Sequence, residues 1–240
     1  MKYLKKSKYT FNRLYISLFV IFFLFLILFV VGILYFSPAA RSVVGIDPAP
    51  TIVGVQPLGD VPDSEIVAVK NAVREMYDYQ VVELKRQDLP EMAYTEIRYP
   101  RYRADSILTW LCDEAYQSAK PDSINIILSL TKADISITKY NKETGEIKDP
   151  EWKYKDFGIF GLGRIHGGVC VVSSHRLANG VSQKIFQKRL TRIACHEVGH
   201  VLGLRHCPVQ QCLMNDANES IRTIDKSTGE LCSACKKKID

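Results

Sequence analysis

Apolar residues recur along this chain with two periods, and together they predict alternating strands and helices from about residue 51 onward. Short apolar runs predict buried strands over residues 51–55, 79–84, 124–130, 157–165 and 169–173. Apolar residues at helical spacing predict helices over 63–77 and 105–119, and a third helix that Ser182 is expected to cap. This order predicts an α/β (or α+β) domain in which a mixed, twisted sheet packs against helices.

The first 50 residues follow a different pattern. Residues 14–36 carry no charge and consist largely of Leu, Phe, Ile and Val. A run of this length and hydrophobicity can cross a bilayer as one transmembrane helix. The positive-inside rule then predicts a single-pass signal anchor, because the basic residues before it stay in the cytoplasm. The predicted organisation is a basic cytoplasmic segment (1–13), the anchor (14–36), a linker (37–50) and an exported domain (51–240).

A cleaved signal peptide is the alternative for this segment. Small residues around Ala39 and Ala40 would permit cleavage and release a secreted protein. The apolar run is longer than the 7–15 residues typical of a signal peptide, which favours the membrane-anchored protein.

The net charge of +6 does not indicate a nucleic-acid partner. Five of the basic residues precede the apolar run, and from Ser37 onward the chain has 27 basic and 26 acidic residues. A nearly neutral domain lacks the basic balance of nucleic-acid-binding proteins. The three lysines at 236–238 are expected to form a solvated tail.

Residues 196–206 carry the most specific chemistry of the chain, because they read HExxHxxGxxH. His196 and His200 are four residues apart, so a helix places both on one face, with Glu197 close to a metal that they would share. Gly203 can adopt the backbone conformation that ends the helix, and His206 can then return as a third ligand. Three protein ligands leave one tetrahedral position open to water, which is typical of catalytic zinc.

Four cysteines follow this motif in two pairs. Cys207 and Cys212 form a CxxxxC pair, and Cys232 and Cys235 form a CxxC pair. Two such pairs suit a closed, structural zinc site. Two disulfides are the alternative, because an exported domain meets oxidising conditions.

The combined pattern resembles that of the archaemetzincins, a branch of the metzincin zinc metallopeptidases. It reads HExxHxxGxxHCxxxxCxM and, after 17 further residues, CxxC. The resemblance implies a metzincin-like zincin domain with two zinc ions: a catalytic one on the three motif histidines and a structural one on the four cysteines. It also implies that Met214 belongs to a Met-turn beneath the catalytic zinc. The resemblance extends roughly over residues 51–235 and does not include the N-terminal segment.

The resemblance further implies a peptidase that acts on peptide or protein substrates. Neutral imidazole ligands keep zinc Lewis acidic, and Glu197 is expected to take a proton from the attacking water and pass it to the leaving amine. By analogy, the region 158–165 is assigned to an edge strand that pairs with an extended substrate, and an ordinary glycine-containing edge strand or turn is the alternative. The alternatives are a zinc-stabilised binding or scaffold domain, or a latent enzyme. Glu197 argues against a scaffold, which needs no base beside its metal.

The remaining cysteines and histidines are expected to be structural. Cys112, Cys170 and Cys195 lie in apolar surroundings that favour core packing. His166 and His175 lie outside the motif and are interpreted as surface or structural residues.

Overall fold

The computed structural model describes residues 19–32, 50–217 and 219–239. The chain divides into two compact units, residues 1–49 and 50–240. All described strands, and all described helices other than the N-terminal helical stretch, belong to the second unit.

Within the first unit, residues 19–32 are helical. The predicted basic segment (1–13), both ends of the predicted anchor and nearly all of the predicted linker lie outside the described residues. No helix in the described part of the chain combines the length and hydrophobicity needed to cross a membrane.

The second unit alternates strands and helices from its first residues onward. Its strands are β1 (Ile52–Leu58), β2 (Gln80–Glu83), β3 (Tyr94–Thr95), β4 (Arg101–Arg103), β5 (Ile126–Thr131), β6 (Ile135–Ile137), β7 (Phe157–Ile159), β8 (Gly161–Gly163) and β9 (Val169–Ser173). Its α-helices are α1 (Asp63–Tyr77), α2 (Ala104–Leu111), α3 (Glu114–Ala119), α4 (Glu151–Tyr154), α5 (Gln183–Val201), α6 (Ile221–Lys226) and α7 (Ser233–Lys236), and a 3₁₀ turn spans Glu91–Ala93.

Two sheets organise these elements. The larger has the strand order β2-β1-β5-β9-β8, in which four parallel strands end in the antiparallel edge strand β8. The smaller has the order β3-β4-β6-β7. The larger sheet is therefore mixed, as predicted, and its antiparallel edge strand contacts α5, the helix that carries His196 and His200.

The core lies on both faces of the larger sheet. Alternate residues of each central strand enter opposite clusters, as Leu128 and Ile127 do in β5. One cluster packs beneath α1 and α5, and the other beneath α2 and α3. Because strands buried on both faces are apolar along their whole length, the continuous runs of the sequence predict them well.

Three sequence predictions need correction. The helix predicted over 105–119 is two helices, because the Asp113 side chain accepts a hydrogen bond from the Ala115 N–H (2.9 Å) and starts α3 anew. The strand predicted over 157–165 is two strands, β7 and β8, which belong to different sheets and meet at Phe160. Ser182 does occupy the N-cap of α5, but its side chain makes no capping hydrogen bond.

Candidate active site

Helix α5 holds the first two motif histidines side by side. The Nδ1 of His196 lies 2.8 Å from the carbonyl oxygen of Leu213, and the Nδ1 of His200 lies 2.7 Å from that of Leu204. A carbonyl only accepts, so each Nδ1 must carry the proton and donate it. The Nε2 lone pair of both rings is therefore free for a metal, in the orientation that backbone partners usually impose on histidine ligands.

The third histidine returns to the same point after the helix ends. Gly203 has a φ of 96°, a conformation that favours glycine, and the chain turns there toward His206. The ring of His206 lies 4.9 Å from that of His200 and 5.5 Å from that of His196, centroid to centroid. One ring nitrogen from each histidine lies within 4.8 Å of the other two. The Nδ1 of His206 lies 3.3 Å from the Asp216 carboxylate, which would orient it.

Met214 packs directly beneath the histidine helix. It is fully buried, and a Cβ at Gly199 would lie 2.5 Å from its sulfur. The absence of a side chain at Gly199 therefore makes the space that Met214 fills. The carbonyl of Met214 accepts a hydrogen bond from the Cys207 N–H (2.8 Å), which fixes this turn against the segment that follows His206.

Burial keeps the histidines of α5 neutral. It lowers the pKa of His196 to about 4, with a smaller contribution in the same direction from His200. Burial is also the main reason why the pKa of His200 is lowered. Both rings are thus unprotonated at neutral pH, the state in which imidazole binds a metal.

Glu197 is buried beside these rings. Burial raises its pKa to about 8, and a hydrogen bond from the backbone N–H of Gly163 partly opposes that rise. A pKa close to the working pH suits a group that takes up and releases a proton. Positive charge placed at the histidines would favour the ionised form, in which Glu197 can act as a base.

Two glycines of edge strand β8 allow α5 to approach this closely. A Cβ at Gly161 would lie 2.7 Å from the side chain of Glu197, and a Cβ at Gly163 would lie 2.6 Å from its backbone oxygen. They are two residues apart, so both face α5. A glycine pair of this spacing in a strand is a sequence signal for close approach, which the edge-strand interpretation did not use.

The two glycines should respond differently to substitution by alanine. Gly163→Ala would push the helix backbone away, and we expect the free energy of unfolding to fall by about 1–3 kcal/mol. Gly161→Ala would displace only the Glu197 side chain, so we expect hydrolysis to fall more than stability. Denaturant unfolding and peptidase rates of both variants test this, and a Gly163→Ala protein as stable as the parent would contradict it.

The four cysteines of the two pairs converge on one point. Their sulfurs lie within 4.8 Å of one another, with 3.8 Å between Cys207 and Cys232 and 3.9 Å between Cys212 and Cys235. Tetrahedral zinc with Zn–S bonds of about 2.3 Å requires sulfurs about 3.8 Å apart. A disulfide requires about 2.05 Å. The spacing therefore fits a shared metal and not two disulfides.

This cluster also has the charge properties of a metal site. Hydrogen bonding, first of all with the backbone of Cys235, lowers the pKa of Cys232 to about 7. Burial raises the pKa of Cys235 and of Cys207. The two thiols that burial keeps protonated need a nearby cation before they can become thiolate ligands.

A cleft of about 540 Å³ lies over the histidines and Glu197. Residues 157–163 line it along β7 and β8, and Ile193 and Ile224 add apolar surface. Lys139 and Lys153 line it as well. The region 158–165, assigned to substrate pairing, thus lies largely along the cleft, with β8 at the sheet edge.

The structure brings together every metal ligand named from the sequence, but the sequence interpretation missed other lining residues. Asp216 is one of them, because no pattern indicates that it meets His206. Lys139 and Lys153 are two others, and they share no motif. Of the residues expected to be structural, Cys170 and Cys195 are buried, Cys112 is partly buried, and His166 and His175 are exposed.

Comparison with known proteins identifies one peptidase family. The model for peptidase family M54 matches residues 65–240, which include both ligand clusters. An archaemetzincin of Halobacterium salinarum is 30% identical over 195 residues, which cover 78% of this chain and 98% of that protein. An archaemetzincin of Methanocaldococcus jannaschii is 27% identical over 190 residues, covering 77% and 90% respectively.

Solved structures agree with the fold. The crystal structure of an archaemetzincin from Archaeoglobus fulgidus superposes with a TM-score of 0.58 at 26% identity, over 79% of this chain and 100% of that one. An archaemetzincin from Methanopyrus kandleri gives a TM-score of 0.60 at 24% identity, over 81% and 96%, and supports the fold alone. The predicted α/β domain with a mixed sheet is confirmed.

Proposed function

Because the chain belongs to peptidase family M54, the archaemetzincins, and is a zinc metallopeptidase, we propose that Glu197 performs general acid–base catalysis beside a zinc ion held by the three cleft histidines. The observation that carries this proposal is the convergence of three histidine nitrogens next to one buried carboxyl. Zinc fits the donor set, because two Nδ1 atoms face carbonyl oxygens and leave their Nε2 atoms available.

The protein's own groups account for the proton transfers. Zinc, when bound, supplies the positive charge that polarises a peptide carbonyl and acidifies water. Glu197 takes the proton of the attacking water, and its burial lets it hold that proton until the leaving amine accepts it. The hydrogen bond from Gly163 orients the carboxyl during both transfers.

We also propose that the four cysteines hold a second, structural zinc. The sulfur spacing supports this, as does the position of Cys207 next to His206. A metal at the cysteines would fix the segment that carries the third histidine. Two zinc ions per purified chain are expected, of which a mild chelator removes the histidine-bound one first.

A digest of a broad peptide library tests the peptidase proposal. The full-length chain in mild detergent is expected to cleave peptides, and chelation followed by added zinc is expected to abolish and restore cleavage. No cleavage across the library by protein that contains zinc at the histidines would overturn the proposal and favour a binding or scaffold domain.

We infer further that residues 14–36 anchor the chain in a membrane with the peptidase domain outside the cytoplasm. The support is the uncharged run of 23 residues and the basic residues before it. Protease added to intact cells should digest the domain, and the full-length protein should resist alkaline extraction from membranes. A domain that only detergent exposes to protease would contradict this topology, and a chain beginning near residue 40 would indicate secretion.

A further inference from the structure

The lining of the cleft includes a concentration of positive charge. Five basic side chains line it: Arg98, Arg101, Lys139, Lys153 and Arg176. The domain as a whole is almost neutral, so this concentration needs a local explanation.

Two of these five are neutralised within the fold. Arg101 is 4% exposed and lies 3.3 Å from the Asp134 carboxylate and 3.5 Å from the Asp156 carboxylate. Arg176 makes a bidentate pair with Asp134, at 2.6 and 2.7 Å. The two arginines are thus balanced by the carboxylates of Asp134 and Asp156, and these ion pairs stabilise the fold.

The other three are not balanced. Lys139 and Lys153 share one carboxylate, that of Glu219, at 3.0 and 3.4 Å. Arg98 lies over the ring of Trp152, 4.6 Å from its centroid, and has no ion-pair partner among the described residues. In the part of the chain that the structure describes, these three positive charges therefore have a single ion-paired carboxylate, that of Glu219. We call Arg98, Lys139 and Lys153 the cationic end of the cleft.

The cationic end lies within reach of a bound peptide. Lys139 lies 4.1 Å above the ring of Phe157, at the start of the strand segment that lines the cleft. Gly161, beside Glu197, is four residues farther along that segment. At about 3.3 Å per residue the two points are at most about 13 Å apart, the length of about four residues of an extended peptide.

We propose that the cationic end binds a carboxylate of the peptide substrate, so that the enzyme selects peptides with an acidic group within about four residues of the cleaved bond. This selection rests on the proposed peptidase function. The carboxylate comes either from an Asp or Glu side chain or from a free C-terminus. Apolar residues also line the cleft, Ile193 and Ile224 among them, so we expect apolar side chains elsewhere in the bound peptide.

Binding to the full-length Glu197→Gln protein tests the selection without turnover. Matched peptides carry Glu or Gln at one position and an amidated C-terminus, and a second pair differs only in a free or amidated C-terminus. We expect one of the two carboxylate peptides to bind about 5- to 10-fold more tightly than its neutral partner. The difference should shrink as NaCl rises from about 50 to about 500 mM.

One variant removes positive charge from the cleft and another removes negative charge. Their opposite expected effects separate charge selection from loss of folding. The double variant Lys139→Gln/Lys153→Gln should abolish the preference, whereas Glu219→Gln should enlarge it. The exposed pair Lys184→Gln/Lys188→Gln on α5 removes the same charge outside the cleft and should leave the preference unchanged. An unfolded variant cannot reproduce the gain expected for Glu219→Gln.

The outcomes for selection and for peptidase activity are distinct. Equal binding of carboxylate and neutral peptides would overturn the selection, even if the parent protein cleaves the peptide library. A carboxylate preference in binding without any cleavage by the zinc-loaded parent would support the selection and overturn the peptidase proposal.

Discussion

Replacing Glu197 by Gln is expected to lower the rate of peptide hydrolysis by about a thousandfold or more while zinc stays bound. The carboxamide has the shape of the carboxyl and can still accept the hydrogen bond from Gly163. It cannot take a proton from water, so the step that generates the nucleophile loses its base. The three histidines are unchanged, and the zinc content should therefore match that of the parent.

Peptidase rates and zinc content measured on the same preparation check this result. Glu143→Gln, in an exposed turn far along the sequence from the motif, is the matched control and should keep the parental rate. Retention of the parental rate by Glu197→Gln would remove the carboxyl from the mechanism. Loss of zinc together with activity would instead assign Glu197 a role in holding the metal site together.

Replacing Cys212 by Ser is expected to lower the free energy of unfolding by about 4 kcal/mol or more, because a structural zinc contributes directly to folding. A metal at the cysteine cluster would also help to hold the histidine cluster in place. Cys207 is adjacent to His206, and the carbonyl of Leu213, next to Cys212, accepts the hydrogen bond of His196. Peptidase activity should therefore fall as well.

Cys195→Ser provides the control for burial. Cys195 and Cys212 are both 3% exposed, but Cys195 is not part of the sulfur cluster. We expect its replacement to cost about 1 kcal/mol and no zinc. Denaturant unfolding and zinc content distinguish the two variants, and equal losses of stability would contradict a structural metal at Cys212.

Thiol titration of the unfolded, zinc-free parent addresses the disulfide alternative. All seven cysteines should react if the cluster holds zinc. Two disulfides would leave reactive only the cysteines outside the cluster, Cys112, Cys170 and Cys195. This measurement also bears on the location of the domain, because four reduced thiols outside the cytoplasm need a metal to protect them.

Local patterns explain why so much of the site could be predicted. His196 and His200 lie on one helix, where spacing fixes their relation, and Gly203 and His206 follow within one turn of chain. The central strands are buried on both faces, so continuous apolar runs in the sequence predict them. Each of these features depends on residues near one another in sequence.

The features of the fold and the site that the sequence did not predict depend on contacts that no local pattern encodes. The pairing of Asp216 with His206 depends on how the turn after Cys212 folds back. The break at Asp113 follows from a single side chain competing for a backbone N–H. The cationic end assembles residues from three separate segments, and its excess charge appears only after the partners of every basic residue are known.

The meeting of β7 and β8 at Phe160 has a mechanical consequence. One short stretch of backbone is hydrogen-bonded into the small sheet on one side of Phe160 and into the large sheet on the other. This wall of the cleft therefore has no loop that could open by itself. Widening the cleft along this wall would tilt the two sheets against each other, and such a tilt would move Phe157 together with Gly161, which lies beside Glu197. The fit of the substrate and its alignment with Glu197 would then change together, through the same tilt between the sheets.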